Sequence, residues 1–598
     1  MCGIVGIVSN KNSISKILKG LKALEYRGYD SVGIGYIENK KIHEIKSIGK
    51  IEKLKTKIKK NISSKIIIGH TRWATHGQPS KKNSHPFIKK NCALVHNGII
   101  ENYKDLIKKY RIDITKLKSD TDTEVIAEIF NNLLEIRENT IKIIQDVIKN
   151  IKGTYAFGLI VKKENAIYAI KKGSPLIIGI NKNEISISSD TLGLPQCDNI
   201  IHLEDFDIAK INYKKYKIFN NGKIIDRKKY EYNSLISNKK GRFKHFMLKE
   251  IFYQPLAIEQ TLKNYTHSTN KTLNFPKYKF NINLINNIHL TACGTAYHAC
   301  MIAKYWFEEL TNIQTSVDIS SEYRYRKCTL GQNSIGIVVS QSGETMDTLE
   351  SLKKYKNKNI INISIVNVIG STIGRKSDYV LPTLAGAEIG VASTKAFTTQ
   401  LLVLALFSIH IKNKEKINNY KYFKSLLLLP NKIKESLKSE KIIKKIIPIL
   451  NNAKSIFYIG RGTMFPLAME GALKLKEVTY KHCEGYAAGE LKHGPLALIE
   501  KNIPVIALAP YNEHFEKLIS NIEEIKARDG EIIIITDKKG FGLIDKKIKN
   551  IILMPDSNFL TAPLIYSIPI QLIAYHLADF IGTNIDQPRN LAKSVTVE

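Results

Sequence analysis

The chain has 598 residues, which allows roughly three to four domains. Its composition, 43% hydrophobic and 24% charged, excludes a chain that is disordered over its whole length. The 91 Lys and Arg residues against 55 Asp and Glu give a net charge of +36, a balance that would suit nucleic acid or an anionic membrane. The basic residues are scattered among Asn and Ile, as in KNKNIINISI, so no specific nucleic-acid partner is expected.

The cysteines and the longest apolar stretch indicate the compartment. The seven cysteines form no CxxC pair. Their odd number and the lack of a secretory signal predict reduced thiols and a cytoplasmic protein. Residues 559–580 are apolar but contain Pro563, Pro569, Gln571 and His576. They are predicted to form a buried helix rather than a membrane span, and no membrane partner is expected.

The chain up to residue 225 consists of short apolar runs, such as CGIVGIV, SVGIGYI, KIIIGHT and NCALVHNGII, separated by Gly, Asn and Asp. Many short strands with a few helices predict a layered α+β domain. Residues 226–245 are polar and basic without periodicity, and are predicted to be a linker.

Beyond residue 280 apolar strands alternate with Gly- or Ser-containing loops and amphipathic helices, and the pattern occurs twice. NIHLTACGT matches SIFYIGRGT, which aligns Gly294 with Gly462. SIGIVVSQSGET matches IPVIALAPYNEH, which aligns Ser340 with Ala509. This alternation is typical of doubly wound parallel sheets. The sequence predicts two tandem α/β domains and a polar tail, over residues 280–425, 450–588 and 589–598.

The amino end offers a nucleophile. Met1 precedes Cys2, and removal of Met1 would place a thiol and a free α-amine on one residue. The amine, with a pKa of about 8, can act as base for the thiol. This is the N-terminal-nucleophile arrangement. The alternative is that the cysteine is there by accident.

Three nearby motifs bear on this choice. VHNGII supplies Asn97 and Gly98, which suit an oxyanion hole or a hairpin turn. Arg72 in GHTRWATHG suits a carboxylate ligand or a surface ion pair. Asp122 in SDTDTEV suits an ammonium group or a helix N-terminus. Taken together with a thiol, they indicate an amino-acid amide, hence glutamine, as substrate.

The segments CGIVG, LEYRGYDS, GHTRWATHG, HNGIIEN and SDTDTE resemble the glutaminase domain of class II glutamine amidotransferases. The resemblance implies an N-terminal-nucleophile (Ntn) hydrolase fold with αββα layers over residues 2–225. In that family the terminal cysteine attacks the glutamine amide, releasing ammonia and leaving a glutamyl thioester. The implied roles are nucleophile and base for Cys2, oxyanion hole for Asn97 and Gly98, grips on the α-carboxylate and α-amine for Arg72 and Asp122, ammonia gate for Trp73, and lesser site positions for Thr75, His76 and Arg27.

In the first α/β repeat, VVSQSGETMDT places Ser340, Gln341, Ser342 and Thr345 at a strand-to-helix turn. Hydroxyls and backbone N–H groups at a helix N-terminus can hold a phosphate without a lysine. An ordinary helix cap would explain one such residue, but not three hydroxyls. The second repeat has APYNEH there, so one phosphate site is predicted, in the first repeat.

The second repeat and the tail carry other chemistry. MEGALKLKEVTY places Lys474 and Glu477 on one helix face, where a solvated ion pair is the simpler reading. His493 lies beside a Gly-Pro turn. Lys593 lies in a tail, NLAKSVTVE, that lacks the Lys, Asn and Ile runs of the background.

The segments KGRFKHFMLKEIFYQP, ACGTAYHA, SQSGET, EIGVASTKAFTTQ, ALKLKE, YAAGELKHGPLAL and DQPRNLAKSVTVE resemble the sugar isomerase (SIS) domains of the isomerising glutamine–fructose-6-phosphate aminotransferases. With the amino-terminal motifs, the resemblance covers essentially the whole chain. It implies transfer of the amide nitrogen of L-glutamine to D-fructose 6-phosphate, giving D-glucosamine 6-phosphate and L-glutamate, the first step of hexosamine synthesis. It implies no cofactor and no metal.

The same resemblance implies roles in the sugar half. His493 would open the sugar ring, Lys593 would form an imine at C2, Glu477 would move a proton from C1 to C2, and Lys474 would be its charge partner and proton donor. The sugar and phosphate ligands would be Thr295, Ser340, Gln341, Ser342, Thr345 and Ser393. In the family His493 comes from the neighbouring subunit, so a homodimer is expected. A dry ammonia passage closed by Trp73 and the tail is also expected.

One residue departs from the family pattern, because Ala296 stands where Ser is common. The loss of one hydrogen bond to the sugar phosphate would cost about 0.5–1.5 kcal/mol. Three alternatives stay open: an enzyme of this architecture with another acceptor, such as a fructosamine-type phosphate, a non-catalytic sugar-phosphate sensor, and a basic nucleic-acid-binding protein. For the last, only weak nonspecific attraction to nucleic acid is expected. The joint presence of Glu477, His493 and Lys593 argues against a sensor.

Overall fold

The computed structural model describes residues 2–59, 62–74, 77–231, 240–267, 272–412 and 420–595. Thr75 and His76 therefore lie outside the described residues. The chain divides into two compact units. The first unit is Met1–Leu235 with Ser594–Glu598, and the second is Ile236–Lys593.

Short strands dominate the first unit. The strands are β1 (Gly3–Ser9), β2 (Ser31–Glu38), β3 (Lys41–Ile48), β4 (Ile66–Arg72), β5 (Phe87–Ile88), β6 (Cys92–Ile100), β7 (Gly153–Val161), β8 (Ala166–Lys172), β9 (Ile177–Asn181), β10 (Glu184–Ser188), β11 (Asn199–His202), β12 (Ile208–Ile211), β13 (Tyr216–Asn220), β14 (Lys223–Ile225) and β15 (Lys229–Glu231). The helices are α1 (Ile14–Ala23), α2 (Ile51–Lys55), α3 (Tyr103–Lys109), α4 (Asp122–Ile136) and α5 (Thr140–Lys149).

These strands form two sheets, with the orders β15-β11-β9-β10-β1-β4-β2-β3 and β14-β13-β12-β8-β7-β6-β5. The facing sheets bury Ile4, Val95 and Ile160 between them. Helices α1 and α2 pack on the outer face of the first sheet, and α3 to α5 on that of the second. The predicted αββα layering is thereby confirmed.

The end of the first unit differs from the sequence-based expectation. Lys229–Glu231, assigned to the linker from its polar composition, form the edge strand β15, which pairs with β11. An edge strand of three residues can be polar because solvent takes up its free hydrogen-bonding side. Residues 232–239, the middle of the predicted linker, lie outside the described residues.

The second unit alternates strands and helices. Its strands are β16 (Asn287–Ala292), β17 (Gln314–Ile319), β18 (Ser334–Ser340), β19 (Ile361–Val366), β20 (Tyr379–Pro382), β21 (Ser455–Gly460), β22 (His482–Ala487), β23 (Pro504–Ala509), β24 (Glu531–Asp537) and β25 (Asn550–Met554). Its helices are α6 (Phe246–Tyr265), α7 (Gly294–Thr311), α8 (Ser320–Tyr323), α9 (Met346–Asn357), α10 (Thr372–Lys376), α11 (Lys395–Lys412), α12 (Tyr420–Leu427), α13 (Leu429–Ser436), α14 (Glu440–Asn452), α15 (Met464–Thr479), α16 (Phe515–Lys526), α17 (Lys538–Phe541) and α18 (Ala562–Ile581).

The internal repeat predicted from the sequence is confirmed. The two parallel sheets have the orders β17-β16-β18-β19-β20 and β22-β21-β23-β24-β25, so each strand of one has its counterpart in the other. A single apolar core includes Trp306 and Phe407 from the first repeat and Leu475 and Tyr566 from the second. The two repeats therefore fold as one packed body.

Helix α18 is the one helix among the described residues whose length and apolar composition would let it cross a membrane, and 83% of its apolar window is buried inside the protein. Burial of this extent is expected of a core helix. Pro569 lies within it, where a core helix tolerates the lost hydrogen bond by packing on its neighbours.

Candidate active sites

Cys2 lies immediately before β1, at the end of the sheet where β4 finishes. These strands pair antiparallel with Gly3 opposite Thr71, which brings Cys2 beside the next residues of β4. The backbone N–H of Trp73 donates to Cys2 Sγ at 3.2 Å. Burial raises the pKa of the Cys2 thiol, and the Trp73 N–H and the charge of Arg72 offset this only in part. The sulfur is therefore a thiol at rest and needs a base before it can attack.

The amide of Asn97 faces Cys2 from β6. Asn97 Nδ2 donates to the carbonyl oxygen of Cys2 at 3.0 Å. The next residue, Gly98, has φ +139°, and a Cβ there would overlap the carbonyl oxygen of Thr154. Only glycine fits this backbone. The structure thus brings the amide of Asn97 to the predicted nucleophile, with Gly98 next to it in β6.

Arg72 and Asp122 lie at the same site. Asp122 is the first residue of α4, and its Oδ2 accepts the backbone N–H of Ile100 at 2.7 Å. Arg72 is buried and donates to the carbonyl oxygen of Gly77 at 3.2 Å. Burial lowers the pKa of Arg72, while the charges of Cys2 and Asp122 act in the opposite direction. The guanidinium of Arg72 is therefore close enough to interact with both the Cys2 sulfur and the Asp122 carboxylate.

The remaining predicted members of this site differ in their surroundings. The ring of Trp73 meets that of Tyr29 edge-on, with centroids 5.8 Å apart. Arg27 is buried and donates to Asp190 Oδ2 at 2.5 Å and to the hydroxyl of Tyr26 at 3.1 Å. Both hydrogen bonds hold Arg27 within the fold.

The hydroxyl-rich turn of the first repeat follows β18. Ser340 Oγ lies 2.9 Å from Thr345 Oγ1 and accepts the N–H of Gly343 at 3.1 Å. Ser342 Oγ accepts the N–H of Glu344 at 3.2 Å. Thr345 caps α9 without a side-chain bond to the helix. The three hydroxyls thus line one turn at the carboxyl end of a parallel strand, where ligands bind in such sheets.

The turn depends on a glycine. Gly343 has φ +63°, and a Cβ there would collide with the hydroxyl of Ser371. Gln341, the neighbouring predicted ligand, is half-buried, and its carbonyl oxygen accepts the N–H of Asn367 at 3.2 Å.

A buried charge cluster occupies α15 in the second repeat. Lys474 Nζ lies 2.5 Å from Glu477 Oε2 and 3.6 Å from Glu470 Oε1. Burial alone would lower the pKa of Lys474, but the two carboxylates raise it, so the amine is an ammonium at neutral pH. Glu470 also accepts the hydroxyl of Thr295 at 3.0 Å and lies 2.8 Å from His298 Nδ1. Lys474 is buried and Glu477 is partly buried, and Glu470 links this cluster to the first repeat.

Lys593 is seated on a buried carboxylate. Its Nζ donates to Glu388 Oε2, and the hydroxyl of Ser393 donates to the same oxygen at 3.2 Å. The N–H groups of Thr394 and Ala396 donate to Oε1 at 2.9 and 3.0 Å. Burial would raise the pKa of Glu388, but Lys593 and these N–H groups lower it to about 2. The predicted imine-forming lysine is thus held in the fold, and Ser393 lies beside it.

Sequence reasoning missed Glu388 and Glu470. Both carboxylates are almost fully buried, and each forms an ion pair with a lysine that the sequence predicts to be catalytic: Glu388 with Lys593, and Glu470 with Lys474. Glu470 precedes Lys474 by one helical turn, a spacing that could have found it. Glu388 is 205 residues from Lys593, and no local pattern indicates that contact.

His493 is not brought to these groups. It lies at the end of a short 3₁₀ turn, Ala488–His493, and is exposed. Its side chain makes no hydrogen bond to the rest of the described chain. Leu498, in the following turn, is 53% exposed.

One group of metal-ligand side chains occurs among the described residues, formed by His289, Asp318 and Cys328. None of its three residues is among those predicted for either site. Asp318 Oδ2 is already shared by His289 Nε2 at 2.8 Å and by the guanidinium of Arg326. The positive charge of Arg326 at the same oxygen disfavours a bound cation.

Two domain families match the chain. Residues 70–195 match the glutamine amidotransferase domain, and residues 282–409 and 449–578 match the SIS domain. The C-terminal domain of glucosamine-fructose-6-phosphate aminotransferase from Francisella tularensis aligns with a TM-score of 0.57 and 41% identity, over 59% of this chain and all of that one.

Curated relatives match from end to end. The glutamine–fructose-6-phosphate aminotransferases [isomerizing] of Brucella suis and Acinetobacter baylyi are each 43% identical over the full length of both chains. Identity at this level over a whole multidomain chain includes the order of its domains as well as their folds. The chain therefore belongs to the glutamine–fructose-6-phosphate aminotransferase [isomerizing] family.

Proposed function

We propose that the protein transfers the amide nitrogen of L-glutamine to D-fructose 6-phosphate and isomerises the product, yielding D-glucosamine 6-phosphate and L-glutamate. The observation that carries this proposal is the end-to-end match to aminotransferases of that name. The groups around Cys2 and Lys593 support it, because the first set includes a thiol beside an amide donor and the second an amine that could form an imine.

In the glutaminase half, Met1 is removed and the α-amine of Cys2 takes the thiol proton. The sulfur attacks the amide carbon, and the oxygen that gains charge is held by Asn97 Nδ2 and the N–H of Gly98. Ammonia leaves as the C–N bond breaks, and water then hydrolyses the thioester to glutamate. Arg72 grips the α-carboxylate and Asp122 the α-amine, with Trp73, Thr75, His76 and Arg27 as further site positions.

In the sugar half, the turn after β18 holds the phosphate. The ligands of the phosphate and of the sugar hydroxyls are Thr295, Ser340, Gln341, Ser342, Thr345 and Ser393. Their hydroxyls and the N–H groups at the start of α9 suit an anion. A lysine side chain is not required to bind the phosphate there, because the N-terminus of the helix supplies positive potential.

The sugar chemistry proceeds on the charged cluster. His493 of the partner subunit moves protons during ring opening. Lys593 forms an imine at C2 with loss of water, and ammonia displaces the lysine from that carbon. Glu477 then carries a proton from C1 to C2 while Lys474 supplies charge and a proton. The contact of 2.5 Å between the Lys474 amine and the Glu477 carboxylate supports this pairing.

The same proposal assigns domains, assembly and place. Glutaminase, linker, first SIS domain, second SIS domain and tail correspond to residues 2–225, 226–245, 280–425, 450–588 and 589–598. The enzyme works as a homodimer, which is supported by the exposure of His493 in the structure. Ammonia passes between the sites without meeting water, with Trp73 and the tail closing the passage. Seven free cysteines support a cytoplasmic location.

The test is to mix the purified protein with amide-¹⁵N glutamine and fructose 6-phosphate and to follow products by mass spectrometry. Labelled glucosamine 6-phosphate in equal amount to glutamate is expected. Glutamate and free labelled ammonia without labelled sugar would contradict the proposed acceptor. The measured mass of the purified protein should be that of the chain without Met1.

A further inference from the structure

Three buried histidines lie behind the oxyanion residues of the first unit. His70, His85 and His96 are each at most 5% exposed. The rings of His70 and His85 pack with centroids 4.2 Å apart, and His85 Nδ1 accepts the backbone N–H of His96 at 3.3 Å. None of the three has a part in the reaction described above.

The hydrogen bonds of His70 fix its tautomer. His70 Nε2 lies 3.0 Å from the carbonyl oxygen of His96. A carbonyl oxygen only accepts, so Nε2 must carry the proton. Burial lowers the pKa of His70 to about 3, so the ring is neutral and Nδ1 is bare. In agreement, Nδ1 has no hydrogen-bond partner in the described structure.

The same proton faces the side chain of Asn97. His70 Nε2 lies 3.1 Å from Asn97 Oδ1, so the N–H divides between two oxygens. An amide has one accepting end and one donating end. Because Oδ1 is committed to His70, Nδ2 must point the other way, and it does so, donating to the backbone carbonyl oxygen of Cys2 at 3.0 Å. The second N–H of the amide is then left for the substrate.

We propose that His70 is a positioning residue of the glutaminase reaction, whose Nε2–H locks the Asn97 amide with its donor toward the tetrahedral oxygen. The proposal rests on the proposed glutaminase function. A flipped amide would present Oδ1 to the developing oxyanion, replacing an attraction by a repulsion. A freely rotating amide would have to be ordered during each turnover.

The experiment compares two variants at one position. His70→Gln keeps an N–H near the place of Nε2, whereas His70→Leu keeps the bulk and removes the donor. The first measurement is glutamine hydrolysis by the full-length enzyme. For His70→Leu, kcat should fall by about 10- to 100-fold with KM for glutamine within about twofold, since loss of an oxyanion donor costs up to about 10³-fold. His70→Gln should recover most of the activity.

A second measurement does not depend on turnover. The aldehyde analogue of glutamine, with –CHO in place of the amide, adds the Cys2 sulfur to give a tetrahedral hemithioacetal whose oxygen occupies the oxyanion site. The affinity of His70→Leu for this aldehyde should fall by about 10- to 100-fold. Its affinity for glutamate, which forms no tetrahedral adduct, should be unchanged. Unchanged affinity for glutamate also shows that the glutaminase unit of each variant folds.

The outcomes separate cleanly. Equal loss of glutamate and aldehyde affinity in His70→Leu would make His70 a structural residue and overturn the proposal. So would a His70→Gln enzyme as poor as His70→Leu, or a His70→Leu enzyme with unaltered kcat. If the unaltered protein does not hydrolyse glutamine at all, the proposed function fails before any variant is made, and this inference fails with it.

Discussion

The two SIS repeats have the same five-strand order but carry different chemistry. The first repeat ends β18 in a turn of hydroxyls and backbone N–H groups, while the matching end of β23 has Ala509 in place of Ser340. The second repeat pairs the buried Lys474 with the partly buried Glu477 in α15, where the aligned positions of α7 are Trp306 and Glu309.

The difference shows how one scaffold can be divided between binding and chemistry. In each repeat the strands fix where a loop or helix begins, and the side chains placed there are free to differ. Contacts such as the one from Thr295 to Glu470 at 3.0 Å join the two sets of groups. The comparison predicts which variants should affect turnover and which should affect affinity.

The largest effect is expected for Lys593→Arg. Arginine keeps the ion pair with Glu388 but cannot form an imine, so amino-sugar synthesis should fall by about 10³-fold or more. Glutamine hydrolysis should persist. The measurement is glucosamine 6-phosphate formation, with borohydride trapping of a sugar adduct in the unaltered enzyme only. Lys492→Arg, an exposed control, should behave as the unaltered enzyme does. Normal synthesis by Lys593→Arg would refute the covalent role.

Glu477→Gln comes next. Loss of the carboxylate that moves the proton should lower kcat by about 10²- to 10⁴-fold, with little change in KM for fructose 6-phosphate. The aligned substitution in the first repeat, Glu309→Gln, should have no effect, because Glu309 is exposed. Both variants are measured by steady-state kinetics. An equal fall in kcat for the two substitutions would contradict the assignment of this chemistry to the second repeat alone.

Ser342→Ala should act on affinity. Removal of a hydroxyl from the phosphate turn should raise KM for fructose 6-phosphate by about 10- to 100-fold, the range for a hydrogen bond to a charged group, with kcat nearly unchanged. Tyr511→Phe removes the hydroxyl at the aligned position of the second repeat and should leave KM as it is. A fall in kcat instead of a rise in KM would move Ser342 from binding to chemistry.

The smallest effect is expected for Ala296→Ser. Ala296 lies in the first turn of α7, beside the predicted phosphate ligand Thr295. A hydroxyl there should add one hydrogen bond and lower KM for fructose 6-phosphate by about 2- to 10-fold. Isothermal titration with fructose 6-phosphate would detect the change. No gain in affinity would mean that the phosphate is not bound within reach of α7.

Local patterns were enough to predict the repeats and several site residues. Hydrophobic alternation depends on neighbours in the chain, and it predicted both parallel sheets. The three-residue spacing of Lys474 and Glu477 predicted a shared helix face, and their side chains do meet. The strand β15 was missed because pairing of a polar edge strand depends on β11, about thirty residues earlier.

The partners of the site residues could not be predicted in this way. Glu388 contacts Lys593, and His70 contacts Asn97, across 205 and 27 residues. Neither carboxylate nor imidazole carries a local signature of burial. Only the complete fold shows which polar groups are buried away from water and must therefore form hydrogen bonds or ion pairs with one another.

Gly98 has an evolutionary consequence. Its backbone conformation and the carbonyl oxygen of Thr154 leave no room for a Cβ, so every codon change there that alters the residue also deforms the strand. In a mutagenesis library selected for growth without added amino sugar, position 98 should return glycine alone. Position 296, where Ala stands, should accept several small residues. The number of residues accepted at each position would then distinguish a position restricted by backbone geometry from one restricted only by its effect on ligand affinity.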